Sequence, residues 1–175
     1  KLFIILISIS YVVMITPCAV SAEESGNNTV DAMLAQAEDF FVALKKGRYE
    51  AAWSLLSEKS HKTIIDDVYI KNQKMGGAIQ RESIEQDFKK NGVIFNNYWD
   101  SFARNFDTLM VLEQSRWQAG VMEQNKAYII IAYKASQNPL KLKMMRENDT
   151  WKVGLVETFW KSRSMDIFQS VLNFF

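Results

Sequence analysis

The stretch Asp107–Trp117, DTLMVLEQSRW, decides the fold, because the spacing of apolar residues changes there. Before it, apolar side chains recur about every 3.6 residues; after it they alternate with a period near 2. Immediately upstream, Phe95, Trp99, Phe102 and Phe106 stand at i, i+4, i+7 and i+11, which is one face of a helix. Further back, a helix from about Ser83 to Lys90 stops at Asn91-Gly92, and Gly76-Gly77 separates it from a longer one. Ser57 is a cap for that longer helix, whose stripe reads His61, Ile64, Ile65 and Val68. Tyr49, Ala52, Trp53 and Leu56 mark a short helix before it. Val30, Met33, Leu34, Ala37, Phe40, Phe41 and Leu44 mark the first, which starts near Asn28 and stops at Lys45-Lys46-Gly47.

Downstream, Leu109, Val111 and Trp117 alternate with polar neighbours and predict a long first strand. Ala127 to Ala135, rich in Tyr and Ile, predicts a central strand. Asn138-Pro139 turns the chain into a strand over Leu140 to Arg146, and Asn148-Asp149 turns it into another over Trp151 to Trp160. Helices followed by a strand meander is the order of an α+β domain, with helices covering one face of an antiparallel sheet of about four strands. Residues 161–175 predict a C-terminal amphipathic helix whose apolar face carries Met165, Phe168, Val171, Leu172 and Phe175.

The start of the chain reads as an address. Lys1 precedes apolar runs Leu2 to Ile7 and Tyr11 to Ile15, Pro17 breaks them, and Val20-Ser21-Ala22 offers small residues for cleavage. A spanning helix needs about 20 apolar residues, more than this run supplies. The expectation is an export signal over residues 1–22, cleaved near Ala22, and a periplasmic or secreted protein. Ile15-Thr16-Pro17-Cys18 is similar to the acylation motif of bacterial lipoproteins, but Pro17 replaces a small residue of that motif, so lipidation is not expected. Residues 23–29 then read as a polar tether, and residues 30–160 as one domain.

Without residues 1–22 the chain has 153 residues, with 20 basic and 20 acidic side chains and no cysteine. That composition excludes a disulfide framework and a cysteine nucleophile. Balanced charge argues against nucleic acid as a partner and against a polybasic membrane patch. No His, Cys or spaced carboxylate cluster suggests a metal site, and no cofactor is called for.

Gly47-Arg48-Tyr49-Glu50-Ala51-Ala52-Trp53-Ser54-Leu55-Leu56-Ser57 resembles the turn between the first two helices of exported NTF2-like domains, and Asp149-Thr150-Trp151-Lys152-Val153 resembles their last strand. The resemblance spans about residues 28 to 160 and implies a cystatin-like cone: a curved sheet wrapped round helices, with a pocket that is open, filled or used for dimerisation. The helical insert from Lys71 to Phe106 and the extension after Trp160 depart from that pattern. Those two features are more similar to MlaC-type periplasmic lipid carriers, which implies acyl chains as cargo.

Candidate chemistry is sparse. His61, the only histidine, lies on an apolar stripe, where a core histidine bonded to backbone or Tyr is the simpler reading and an acid or base the sharper one. Strict alternation puts Glu157 on the face of Trp151, Val153, Leu155 and Phe159; there it is a candidate acid or base, unless the strand frays and lets it reach solvent. Glu113 poses the same question between Val111 and Trp117. Asp100 and Arg104, four apart, predict a surface pair, and Lys141 with Lys143 a solvated strand face. Tyr98, Trp99, Phe102 and Phe106 with Tyr128, Ile130 and Trp151 either line an apolar cavity or pack the core.

Three functions stay open: a non-enzymatic module binding a small apolar ligand or a protein partner, a lipid carrier, and a small acid–base enzyme using Glu157, Glu113 or His61. The tail residues Met165, Phe168, Leu172 and Phe175 would close the cone, pair with a second copy of the chain, or touch a membrane surface.

Overall fold

Seven helices and four strands follow one another in the computed structural model, which describes residues 22–133 and 138–159, with side chains from residue 29. The helices are α1 (Ala22–Lys45), α2 (Tyr49–Ser54), α3 (Glu58–Lys74), α4 (Arg81–Lys89), α5 (Val93–Asn105) and α6 (Thr108–Glu113). Strands β1 (Ser115–Met122), β2 (Lys126–Tyr133), β3 (Leu140–Glu147) and β4 (Thr150–Gly154) follow, and α7 (Leu155–Phe159) ends the described chain. The protein is an α+β domain whose helices pack on a curved, open antiparallel sheet of order β1-β2-β3-β4.

Capping explains several boundaries. Ser57 Oγ accepts from Ser60 N–H at 3.1 Å and starts α3. Asp87, at the end of α4, reaches across the turn and accepts from Phe95 N–H at 2.8 Å, capping α5 from outside. Asn148 and Asp149 both take positive φ, 48° and 60°, which is the backbone a two-residue hairpin requires between twisted strands.

Register sets the core. Ile129 pairs with Leu142 and Ala127 with Met144, and all four are buried, while Tyr128 and Ile130 take the other face. Against that inner face packs a run of rings. Phe41 of α1 stacks on Phe106 at 5.6 Å, Phe106 on Phe102 at 5.3 Å, and Trp99 meets Phe40, Phe102, Tyr98 and Trp53 edge-on at 5.4 to 6.5 Å. Beyond β4 the sheet is covered by the segment after α2: Val153 N–H donates to Leu55 O at 2.8 Å and Ser57 N–H to Val153 O at 3.0 Å. The helices before the sheet are thereby stitched to its last strand.

Three boundaries differ from the sequence expectation. Residues 108–113 form α6 and not the first half of a strand, because Asp107 Oδ1 accepts from Met110 N–H at 2.9 Å and nucleates a turn. The last strand stops at Gly154, and residues 155–159 turn into α7. Residues 23–29, read as a tether, lie within α1. The predicted leader before residue 22 and the tail helix of Met165, Phe168, Leu172 and Phe175 lie outside the described residues.

Candidate functional site

An apolar cleft opens where α3 ends. Val68, Lys71, Asn72 and Met75 recur at i, i+3, i+4 and i+7, so the last two turns of α3 present them on one face. Gly76, at φ +79°, takes the left-handed conformation that stops the helix, and Gly77 N–H bonds back to Asn72 O at 2.8 Å. A Cβ on Gly77 would meet the end of the Asn72 side chain, which would have to move aside. The loop then folds over α3: Ile79 N–H donates to Asn72 Oδ1 at 3.2 Å, and Gln73 Nε2 donates to Ile79 O at 3.3 Å. Ile84 of α4 with Ile94 and Asn97 of α5 close the opposite wall, leaving a cleft of about 120 Å³. Met75 and Ile79 remain 62% and 38% exposed at its rim.

Lys71 is the charged residue in that lining. Its Nζ is buried from solvent and has no hydrogen-bond partner. Burial lowers its pKa below the ordinary lysine value, and no carboxylate acts on it to offset that. Its position in the last turn of α3 brings partial compensation from the carbonyl end of the helix.

A second polar cluster lies deeper. Glu157, on α7 and only 9% exposed, accepts from Ser57 Oγ at Oε1 and from Ser60 Oγ at Oε2, both at 2.9 Å. Ser60 Oγ also accepts from Val156 N–H at 3.1 Å, and the two serine oxygens are 2.9 Å apart. Both serines are fully buried. The carboxylate is held neither on the strand face that alternation assigned it nor in solvent, as fraying would have left it. The chain turns helical after Gly154, where a Cβ would meet Lys143 O at 3.0 Å and Glu157 Cβ at 3.2 Å. Thr158 reinforces the turn, accepting from Lys143 N–H at 2.9 Å and donating to Gly154 O at 2.6 Å. The arrangement joins α3 to α7 with every polar atom facing another protein atom, which is the geometry of a clamp.

His61 is half-buried, with its ring 4.0 Å from that of Trp53 and Nε2 2.7 Å from Trp53 O. That contact requires the proton on Nε2, since a carbonyl only accepts. Burial lowers the histidine pKa, with the Trp53 bond opposing it. Glu113 stands exposed at the end of α6, paired with Lys45 Nζ at 2.5 Å. Asp100 accepts from the Tyr49 hydroxyl at 2.7 Å, and the phenol is pushed up to about 12 by burial first and that bond second. Arg81 bridges Asp66, at 2.7 Å, and Glu85, tying α3 to α4 beside the cleft.

Of the two readings of the aromatic residues, cavity lining or core packing, the helical ones follow the second. Tyr98, Trp99 and Phe102 are fully buried against other rings, and Trp151 is buried too. Tyr128 and Ile130 sit on the opposite sheet face, where Lys143 Nζ lies 5.8 Å from the Tyr128 ring. Pairing of Ile129 and Ile131 with Leu142 and Leu140 fixes that choice, since a one-residue slip would bury two lysines of β3. Among the described residues no three His, Cys, Asp or Glu gather to hold a metal ion, and no helix is long and apolar enough to cross a membrane.

The lysine cleft escaped the reading of the sequence. Its signal was present: a lysine and an asparagine continuing the apolar stripe of α3 past Val68, followed by two glycines and another isoleucine. Comparison with family models, with curated proteins and with solved structures gives no match. The class defined by the fold is thus an α+β domain with an apolar, lysine-bearing cleft between α3, α4 and α5.

Proposed function

We propose that the chain is an exported, non-enzymatic module that binds a small apolar ligand in the α3–α5 cleft. The observation that carries this reading is the cleft itself, walled by Val68, Ile84 and Ile94 and rimmed by exposed Met75 and Ile79. A few convergent polar groups in an apolar concavity is the usual composition of a ligand site. The residues that chemistry would need are engaged elsewhere: Glu157 with two buried serines, His61 with a backbone carbonyl. The reading draws on the likeness of residues 47–57 and 149–153 to exported NTF2-like domains and on the signal-like first 22 residues.

The test is backbone amide NMR on purified protein titrated with 1-hexanol. Binding in the cleft shifts the amides of Val68, Ile79, Ile84 and Ile94, and Ile84→Trp, which fills the wall, abolishes the shifts. Saturating shifts elsewhere, or none at all, would refute the assignment of the site.

A further inference from the structure

We infer that the ligand of the α3–α5 cleft is a carboxylic acid with an apolar body of about six carbons, its carboxylate held by the Lys71 ammonium. The inference rests on the cleft being the binding site, and adds the charge and size of what enters it.

Charge follows from Lys71. An ammonium carries three donors and no acceptor. Nζ of Lys71 is removed from water yet meets no acceptor. Buried charges in proteins are ordinarily paired, and Lys71 Nζ bonds none of the acceptors around the cleft. Asp66 and Glu85 are committed to Arg81. Asn72 Oδ1 receives the Ile79 N–H. A carboxylate supplies the missing acceptor and the opposite charge together, and charge-assisted bonds of this kind are among the stronger ones. The flexible four-carbon stem of lysine lets the ammonium follow the carboxylate as it enters. Asn72 and Asn97 line the same cleft with amides, which tolerate a carboxylate where a purely aliphatic wall would not.

Size follows from volume. A cavity of roughly 150 Å³ lined by aliphatic residues accepts benzene, and the cleft measures about 120 Å³. It takes an apolar body no larger than that, such as the pentyl chain of hexanoate with the carboxylate at the lysine, whereas a two-chain lipid greatly exceeds it. The remaining walls, Val68, Ile84, Ile94 and Ile79, match the apolar body and offer it no hydrogen bond from their side chains. Exposed Met75 at the rim is flexible and adapts its shape to the guest.

The experiment compares hexanoate, 1-hexanol and hexylamine in amide NMR titrations of the unaltered protein at neutral pH, and repeats the first two on Lys71→Met. Hexanoate is expected to saturate the cleft at a concentration about tenfold or more below hexanol. Hexylamine is expected to leave the cleft resonances in place. In Lys71→Met, hexanoate loses that advantage while hexanol binds as before. Equal affinity of hexanoate and hexanol for the unaltered protein overturns the inference and leaves the apolar cleft standing. Failure of every probe to shift the cleft overturns both. A hexanoate preference that persists in Lys71→Met assigns the charge to another residue and also overturns the inference. Should the variant not fold, the three probes on the unaltered protein decide the charge preference by themselves.

Discussion

Replacing Ser60 with alanine tests whether the Glu157 cluster holds the fold together. Ser60 Oγ donates to Glu157 Oε2 at 2.9 Å and accepts from Val156 N–H at 3.1 Å. Val156 lies in the first turn of α7, whose amides have no carbonyl within the helix to bond. Truncation therefore orphans two buried groups at once, the amide and one carboxylate oxygen. Each orphaned group costs about 1–3 kcal/mol, so the pair costs about 2–5 kcal/mol with some relief from local adjustment. Against a whole-domain stability of about 5–15 kcal/mol, that is a large fraction.

Urea unfolding monitored by tryptophan fluorescence reads this directly. With a slope of about 2 kcal/mol per molar urea, a loss of about 3 kcal/mol lowers the midpoint by about 1.5 M at unchanged slope. Glu157→Met removes the acceptor instead, and the double variant should lose less than the two losses added, by about 1 kcal/mol or more, because the broken bond is then counted once. A Ser60→Ala loss below about 0.5 kcal/mol, the size of an ordinary surface change, would refute the clamp. Strict additivity with Glu157→Met would do the same.

Three further outcomes follow from local geometry. Gly154→Ala places a methyl 3.0 Å from Lys143 O and 3.2 Å from Glu157 Cβ, and should destabilise by about 1–3 kcal/mol in the same urea assay. Asp87→Ala removes the external cap at Phe95 N–H and should cost about 1 kcal/mol, while Asp87→Asn, which keeps an acceptor, should recover part of it. Burial holds the His61 pKa below 6.5, so the unfolded chain takes up the proton first; its contribution is fully present above pH 6.5 and is lost as pH falls from 6.5 through the lower folded value. The stability difference between the unaltered protein and His61→Gln, measured from about pH 7 to about pH 5, should shrink toward acid; a difference independent of pH would count against it.

Much of the fold was legible because periodicity is a cheap and redundant signal. The stripe Met33, Ala37, Phe40, Phe41 and Leu44 is buried where the helical spacing put it, and Ile129 with Ile131 is buried where alternation put it. The misread boundaries were short. Leu109 and Val111 alternate, but six residues carry too few repeats to separate a strand from a turn of helix, and the capping of Met110 by Asp107 decided the matter. Gly154 inside the last strand pattern was the visible sign that the strand stops early. A Cβ there would press on Lys143 O and Glu157 Cβ, so the turn that carries Glu157 is tightest at a residue three positions away. The apolar rings could not be divided by sequence into core and lining, since Tyr98 and Tyr128 are equally aromatic, yet α5 turns Tyr98 into the core while the register of β2 puts Tyr128 on the opposite sheet face.

The carboxylate and the lysine exchange roles once partners are counted. Glu157 looked like chemistry because it stood among apolar residues, yet its neighbours Ser57 and Ser60 are spaced so that one caps α3, both bond the carboxylate, and one of them also receives Val156 N–H. A polar group surrounded by such bonds is stabilising where it is, and a substrate would have to break them to reach it. Lys71 lies in the last turn of α3, where a basic residue is ordinary, yet its ammonium is out of water without an acceptor. Retaining such a group is unfavourable for the fold alone, because an aliphatic residue at that position would complete the stripe of Val68 and Met75 without an unmet charge. The unmet ammonium is why the cleft, rather than the buried glutamate, is the place to test for function.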